Sequence, residues 1–360
     1  MKIHDVAIAK IRQLPEPLAE QVKDFIDFML MKQDKIERQM QQAYQNLCEA
    51  YIGSDDVKAI DVGYKYVDGK RTDDICCRIH LKKKKKKNYL KPEEVFPKEI
   101  NGIRVDVIQA TYGPTAASER QNEPRKMRQN IIQPGLSISH FQENWGTFGA
   151  VVYDNLSGRP CILSNWHVLV SGTDTSTEDV ILQPGAGDGE EKPENRVGKL
   201  ERYIIDERGD AAIAVLDQPL SRSLKREQFE TEILIESARK AKIGDILEKS
   251  GRTTGVTKGK VDGIGSYKID YQGQVGEKII EGFKIVPVID GNPHDEEISK
   301  SGDSGSIWYD PKTQEGVGLH FAGETSSNPE EYAIACHLPI VLEALSVSLV
   351  PPTDEKKASK

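Results

Sequence analysis

Apolar residues at 18, 22, 25, 26, 29 and 30 recur at the spacing of one helical face, and Pro15 and Pro17 set the start of that helix. The Gln-rich stretch 34–50 has neither Gly nor Pro, so the helix is expected to continue or restart through it. Beyond residue 56 the apolar period shortens to two. Residues 59–67 and 74–81, joined across an Asp68-Gly69 turn, read as a β-hairpin, and 102–108 adds a third strand. Residues 113–134, with Pro114, Pro124 and Pro134 among many polar side chains, read as a linker. From Gly135 onward, short apolar runs such as 136–140, 149–153 and 161–163 alternate with turn signals and show no long helical pattern, which indicates all-β architecture.

The chain therefore divides into a helical module and connector (1–50), a small α+β subdomain (51–115), a linker (116–134), a β domain (135–350) in two halves of about 135–235 and 236–350, and a polar tail (351–360). The whole is mainly β. The apolar stripe on the first helix needs a cover, so a second copy of the chain or a partner protein is expected there.

Composition narrows the function classes. At 360 residues, 37% hydrophobic and 29% charged, the chain is long enough for a sizeable core under a polar surface. Its net charge of −8 argues against nucleic acid as the main partner, because phosphate binding draws on clustered excess Lys and Arg. Six consecutive lysines, Lys82 to Lys87, read as a solvated strand end in an otherwise acidic chain. No apolar run approaches a membrane span, and the first thirty residues lack the uninterrupted apolar core of a secretion signal. Five cysteines, an odd number without metal-type spacing, fit reduced thiols in a cytoplasm.

Candidate chemistry centres on Ser301-Gly302-Asp303-Ser304-Gly305, where a hydroxyl stands between glycines just before an apolar strand. Glycines let the backbone turn tightly and approach a substrate carbonyl. A serine nucleophile needs a base, an orienter for that base and donors for the oxyanion. The base candidate is His167, which follows the apolar run 161–163 in Leu163-Ser164-Asn165-Trp166-His167-Val168-Leu169. The acid candidate is Asp210, directly before the apolar strand 211–216, with Asp206 in the charged loop behind it as the competitor.

The order His167, Asp210, Ser304, together with Lys249-Ser250-Gly251-Arg252-Thr253-Thr254-Gly255 and Val317-Gly318-Leu319-His320-Phe321-Ala322-Gly323, resembles the chymotrypsin-like serine proteases over roughly residues 135 to 350. The wording is most similar to bacterial trypsin-like proteins related to the plant narrow-leaf protease, and the run from Leu14 resembles a short helical module of antitoxin-like bacterial proteins. This likeness implies two six-stranded antiparallel β-barrels, one carrying His167 and Asp210 and the other Ser304. It implies a peptide or protein substrate, an oxyanion hole from the amides of Gly302 and Ser304, and no metal or cofactor.

Two further positions follow from the resemblance. The base of the specificity pocket lies about six residues before the nucleophile, near Ile298 and Ser299. No acid stands there, although Glu296 and Glu297 are close by in the chain. His320, in a strand similar to one in glutamate-preferring bacterial proteases, offers an imidazole to the substrate residue before the cut, so that residue is expected to be acidic or small and polar. In activated relatives the acid equivalent to Asp303 is neutralised by a newly cut amino terminus; the long extension ahead of the barrels puts that route in doubt here, and another cation such as a Lys or Arg could serve. A catalytically silent peptide-binding module is the alternative reading of the same residues.

Overall fold

The computed structural model describes residues 9–67, 70–84, 95–110, 112, 124–143, 145–172, 175–189, 192–271, 275–288, 297–323 and 331–352. His4, the Asp68-Gly69 turn, Lys85 to Lys87, the first part of the linker (113–123), His294, Glu296 and the tail from 353 lie outside them.

The first helix is continuous: α1 (Glu16–Tyr51) runs for 36 residues, with Pro15 and Pro17 at its start. Its second half packs on a four-stranded sheet of β1 (Val57–Val67), β2 (Lys70–Leu81), β3 (Glu99–Ile100) and β4 (Ile103–Gln109). Ala43 and Leu47 of the helix share a core there with Val57, Ile60, Cys77 and Ile79. The expected hairpin is β1 and β2, antiparallel, while β4 joins β2 in parallel. Toward its start the helix leaves the sheet behind, and Phe25, Phe28 and Met31 stand 61–70% exposed.

Residues 124–134 are packed. Arg125 is buried, giving hydrogen bonds to the carbonyls of Gly135 and Gly251 and to Ser250 Oγ. Ile131–Ile132 forms β5, which pairs with β13 (Ser223–Leu224).

The remaining strands make the two barrels. In the first, β6 (Ser137–His140), β8 (Ala150–Asp154), β9 (Pro160–Ser164), β10 (Val180–Leu182), β11 (Arg196–Asp206) and β12 (Gly209–Leu216) follow the order β8-β9-β12-β11-β10-β6. Short β7 (Gly146–Thr147) pairs with β6 and leads through Phe148 into β8, which closes the ring. In the second, β14 (Ile246–Gly251), β15 (Gly255–Asp270), β16 (Glu277–Pro287), β17 (Ile307–Tyr309), β18 (Gly316–Gly323) and β19 (Ala333–His337) run in the order β14-β17-β18-β19-β16-β15, and β15 pairs back onto β14. These are the two six-stranded antiparallel barrels of a chymotrypsin-type fold. Beyond them, the seven-residue helix α3 (Leu338–Ala344) leads to β20 (Val347–Ser348), which returns to β8 of the first barrel. No helix among the described residues is long and apolar enough to cross a membrane.

Strand β15 belongs to two structures at once. Its first part closes the second barrel, and its far part, Gly263–Tyr267, pairs with Ala59–Gly63 of β1. The amino-terminal sheet is thereby continuous with the second barrel, fastened by an ionic cluster in which Arg78 spans Asp61 (2.6 Å) and Asp262 (2.7 Å), all three side chains fully buried.

Candidate active site

The apolar strand β9 ends at Ser164, and Asn165, in extended conformation, starts the four-residue helix α2 (Trp166–Leu169). Trp166, Val168 and Leu169 go into the first barrel's core, which leaves His167 facing the other way and part-exposed. Its Nδ1 lies 2.5 Å from Oδ2 of Asp210. Asp210, on β12, is fully buried, and its other oxygen accepts the His167 backbone N–H at 3.3 Å. The Asn165 side chain donates to the Asp210 carbonyl at 2.7 Å, holding the helix start against the strand. Asp206 instead pairs with Arg208 at the surface. The second oxygen contact to Asp210 comes from Tyr271, whose hydroxyl donates to Oδ2 at 2.7 Å.

Ser304 occupies a tight turn in which Asp303 N–H donates to the Lys300 carbonyl and Ser306 N–H to the Asp303 carbonyl. Gly302 (φ 96°) and Gly305 (φ 95°) both lie in the left-handed region that favours glycine. The turn is docked on the first barrel: Thr147 N–H donates to the Ser304 carbonyl at 2.7 Å and Thr147 Oγ1 to the Gly302 carbonyl at 2.7 Å. A Cβ at Gly305 would collide with Ser164 Oγ, on the strand end that leads to His167. Among the described residues no hydrogen bond joins Ser304 to His167, and the Gly302 and Ser304 amides donate to no protein acceptor.

Beneath Ser304, Asp303 is caged. Lys249 Nζ stands 3.2 Å from its Oδ2, Thr254 Oγ1 donates to the same oxygen at 2.6 Å, and the amides of Thr253, Thr254 and Lys300 donate as well. Burial alone would raise the carboxyl's pKa, but Lys249 and these donors outweigh it and hold Asp303 below the usual carboxylate range. Lys249 thus fills the place expected for a Lys or Arg, and it comes from the run 249–255 that carried part of the resemblance.

Ile298 and Ser299 are both buried, and their amides donate to one oxygen of Glu331, at 2.9 and 3.0 Å. Nothing in the order of residues placed Glu331 at this point; Glu297 pairs instead with Lys300. Ser299 Oγ lies 3.1 Å from His320 Nε2. Burial, reinforced by the positive charge of Lys249, pushes His320 down to about 3, so its imidazole is neutral at physiological pH. Of the other described histidines, His80 lies 3.0 Å from Asp61 and hydrogen-bonds Tyr112, His140 lies 3.1 Å from Asp179, and buried His337 packs on Phe283.

No protein-family model and no curated protein sequence matches the chain, so its likenesses to the narrow-leaf and antitoxin-like proteins rest on the motifs alone. Among solved structures, the chain is similar to a glutamic-acid-specific serine protease that uses a histidine triad in substrate binding, at 20% identity and TM-score 0.45, covering 61% of this chain and 100% of that one. It is similar also to a Nocardiopsis protease (17% identity, 61% and 98% covered, TM-score 0.44) and to Thermobifida fusca protease A (14%, 62% and 100%, 0.44).

Proposed function

We propose that this chain is an intracellular serine endopeptidase that hydrolyses peptide bonds through an acyl-enzyme. The observation that carries the reading is the 2.5 Å contact between His167 and a fully buried Asp210, placed on the barrel wall to which the Ser304 turn is hydrogen-bonded. Asp210 fixes the His167 tautomer with the proton on Nδ1, leaving Nε2 free to act as base. In the first step Nε2 takes the Ser304 hydroxyl proton as Oγ bonds to the scissile carbonyl carbon, and the carbonyl electron pair moves onto oxygen. The unengaged amides of Gly302 and Ser304 would receive that oxyanion, each donor worth roughly 3 to 4 kcal/mol in comparable enzymes. Collapse breaks the C–N bond, and His167 gives its proton to the departing amine; water then repeats the sequence on the ester. Asp303, bound to Lys249, holds the turn that carries both amides, so the site needs no newly cut amino terminus. The five free thiols fit a reducing compartment.

A fluorophosphonate probe tests the reading directly. Native protein should be labelled on Ser304, Ser304→Ala should take no label, and His167→Ala should label far more slowly. Absence of label on the native protein, or equal labelling of Ser304→Ala, overturns it.

A further inference from the structure

The β15–β16 hairpin extends past the second barrel toward the first, and just beyond the end of β15 it presents Tyr271. The Tyr271 hydroxyl donates to Asp210 Oδ2, the same oxygen that faces His167 Nδ1. Its ring meets Trp166 edge-on at 5.9 Å between centroids and lies 6.2 Å from the His167 ring. The hairpin that delivers it is gripped on both strands by the amino-terminal elements. Tyr44 of α1 hydrogen-bonds Ser266 at 2.7 Å, Asp61 of β1 accepts from the Tyr267 hydroxyl at 3.0 Å, Lys268 donates to the Ser54 carbonyl at 3.0 Å, and Lys58 pairs with Glu277 at 2.9 Å. Together with the pairing of β1 to Gly263–Tyr267, these contacts brace the part of β15 that the second barrel alone does not surround.

We propose that Tyr271 is a positioning residue for the His167–Asp210 pair, and that the amino-terminal subdomain keeps it in place by bracing β15. The inference rests on the serine-protease reading of that pair. A carboxylate can swing about its Cβ–Cγ bond; a second donor on Oδ2 restricts that rotation and draws off part of its charge. Without the phenol, Asp210 Oδ2 keeps only the Nδ1 contact among the described residues, and the carboxylate is free to turn away from it.

The test is Tyr271→Phe, which keeps the ring and removes the hydroxyl, measured in the full chain by the low-field proton NMR resonance of His167 Nδ1–H and by steady-state kinetics. The expected result is a displacement of that resonance relative to the native protein, and a kcat lower by about tenfold at little change in KM. An unchanged resonance overturns the positioning role whatever the kinetics do. A native protein that takes no fluorophosphonate label, with the resonance still displaced in Tyr271→Phe, overturns the protease reading and leaves the Tyr271–Asp210 coupling standing. The bracing is read from Tyr44→Phe combined with Tyr271→Phe. Effects on His167 that are smaller together than their sum support it, because the distant contact acts through the phenol; strictly additive effects overturn it.

Discussion

Lys249 Nζ lies 3.2 Å from Asp303 Oδ2, and both side chains are fully buried. The pair sits directly under the turn of Ser304. A buried ion pair is expensive to form and costly to break on one side, because the remaining charge has lost its partner without regaining water.

Lys249→Met should therefore destabilise the fold by about 3 kcal/mol and abolish fluorophosphonate labelling, whereas adding Asp303→Asn should restore much of the stability and none of the labelling. The sign of the pH dependence follows from Asp303, whose folded pKa is depressed. Its contribution is fully present above the unfolded carboxylate value of about 3.9 and is lost as pH falls through the folded value. Urea unfolding at a series of pH values should show the gap between native protein and Lys249→Met closing on the acid side. A gap that widens toward acid contradicts the assignment.

Substrate choice should follow Ser299 and His320. With His320 neutral, recognition rests on hydrogen bonds from the Ser299 hydroxyl and the imidazole, so an acidic or small polar residue is expected before the cut. A peptide-library cleavage profile decides this. Dominant Arg or Lys would refute it and assign the pocket to Glu331, and an acidic preference that survives both Ser299→Ala and His320→Ala would refute the mechanism.

Gly305→Ala should be among the most damaging single substitutions in the turn. Its φ of 95° is strained for any side chain, at about 1–3 kcal/mol, and the added Cβ would also meet Ser164 Oγ and the Thr147 carbonyl. Loss of labelling with retained secondary structure by circular dichroism is the expected pattern; full labelling would show that the turn relaxes without moving Ser304.

Arg78→Met should cost about 3–5 kcal/mol, since it strands Asp61 and Asp262 in the interior without a cation. Thermal unfolding should show one transition, lowered as a whole, because the sheet runs unbroken from the amino-terminal strands into the second barrel. Two separated transitions would mean that the two parts unfold independently.

The exposed half of α1 is expected to pair with a second copy of itself running antiparallel, which would cover Phe25 and Met29. Its start carries Glu16, Glu20, Asp24 and Asp27 with Lys23, and the stretch further on carries Lys32, Lys35 and Arg38 with Asp34 and Glu37, so such a pair sets a net-acidic stretch against a net-basic one. Mass per particle from light scattering should exceed one chain and fall on Phe25→Glu with Met29→Glu; an unchanged mass would exclude this contact.

Local pattern alone determined the element types: the helical spacing before residue 31, the alternating runs of the amino-terminal hairpin and the short strands after 135 each state how a segment buries its apolar face. The order His167, Asp210, Ser304 and the glycines around the serine were equally plain, because a turn at positive φ and an acid before an apolar strand are local features. Tertiary structure alone decided which distant polar groups meet. Tyr271 reaches Asp210 only because a long hairpin crosses from one barrel to the other. Lys249 finds Asp303 only because β14 lies beside β17 in the closed second barrel. Glu331 caps Ile298 and Ser299 across a gap of some thirty residues, and Arg78 joins two aspartates on different sheet segments. Burying apolar surface has a periodic signature in the chain, whereas satisfying a buried charge requires one partner at one distance, and that partner can stand anywhere the fold brings it.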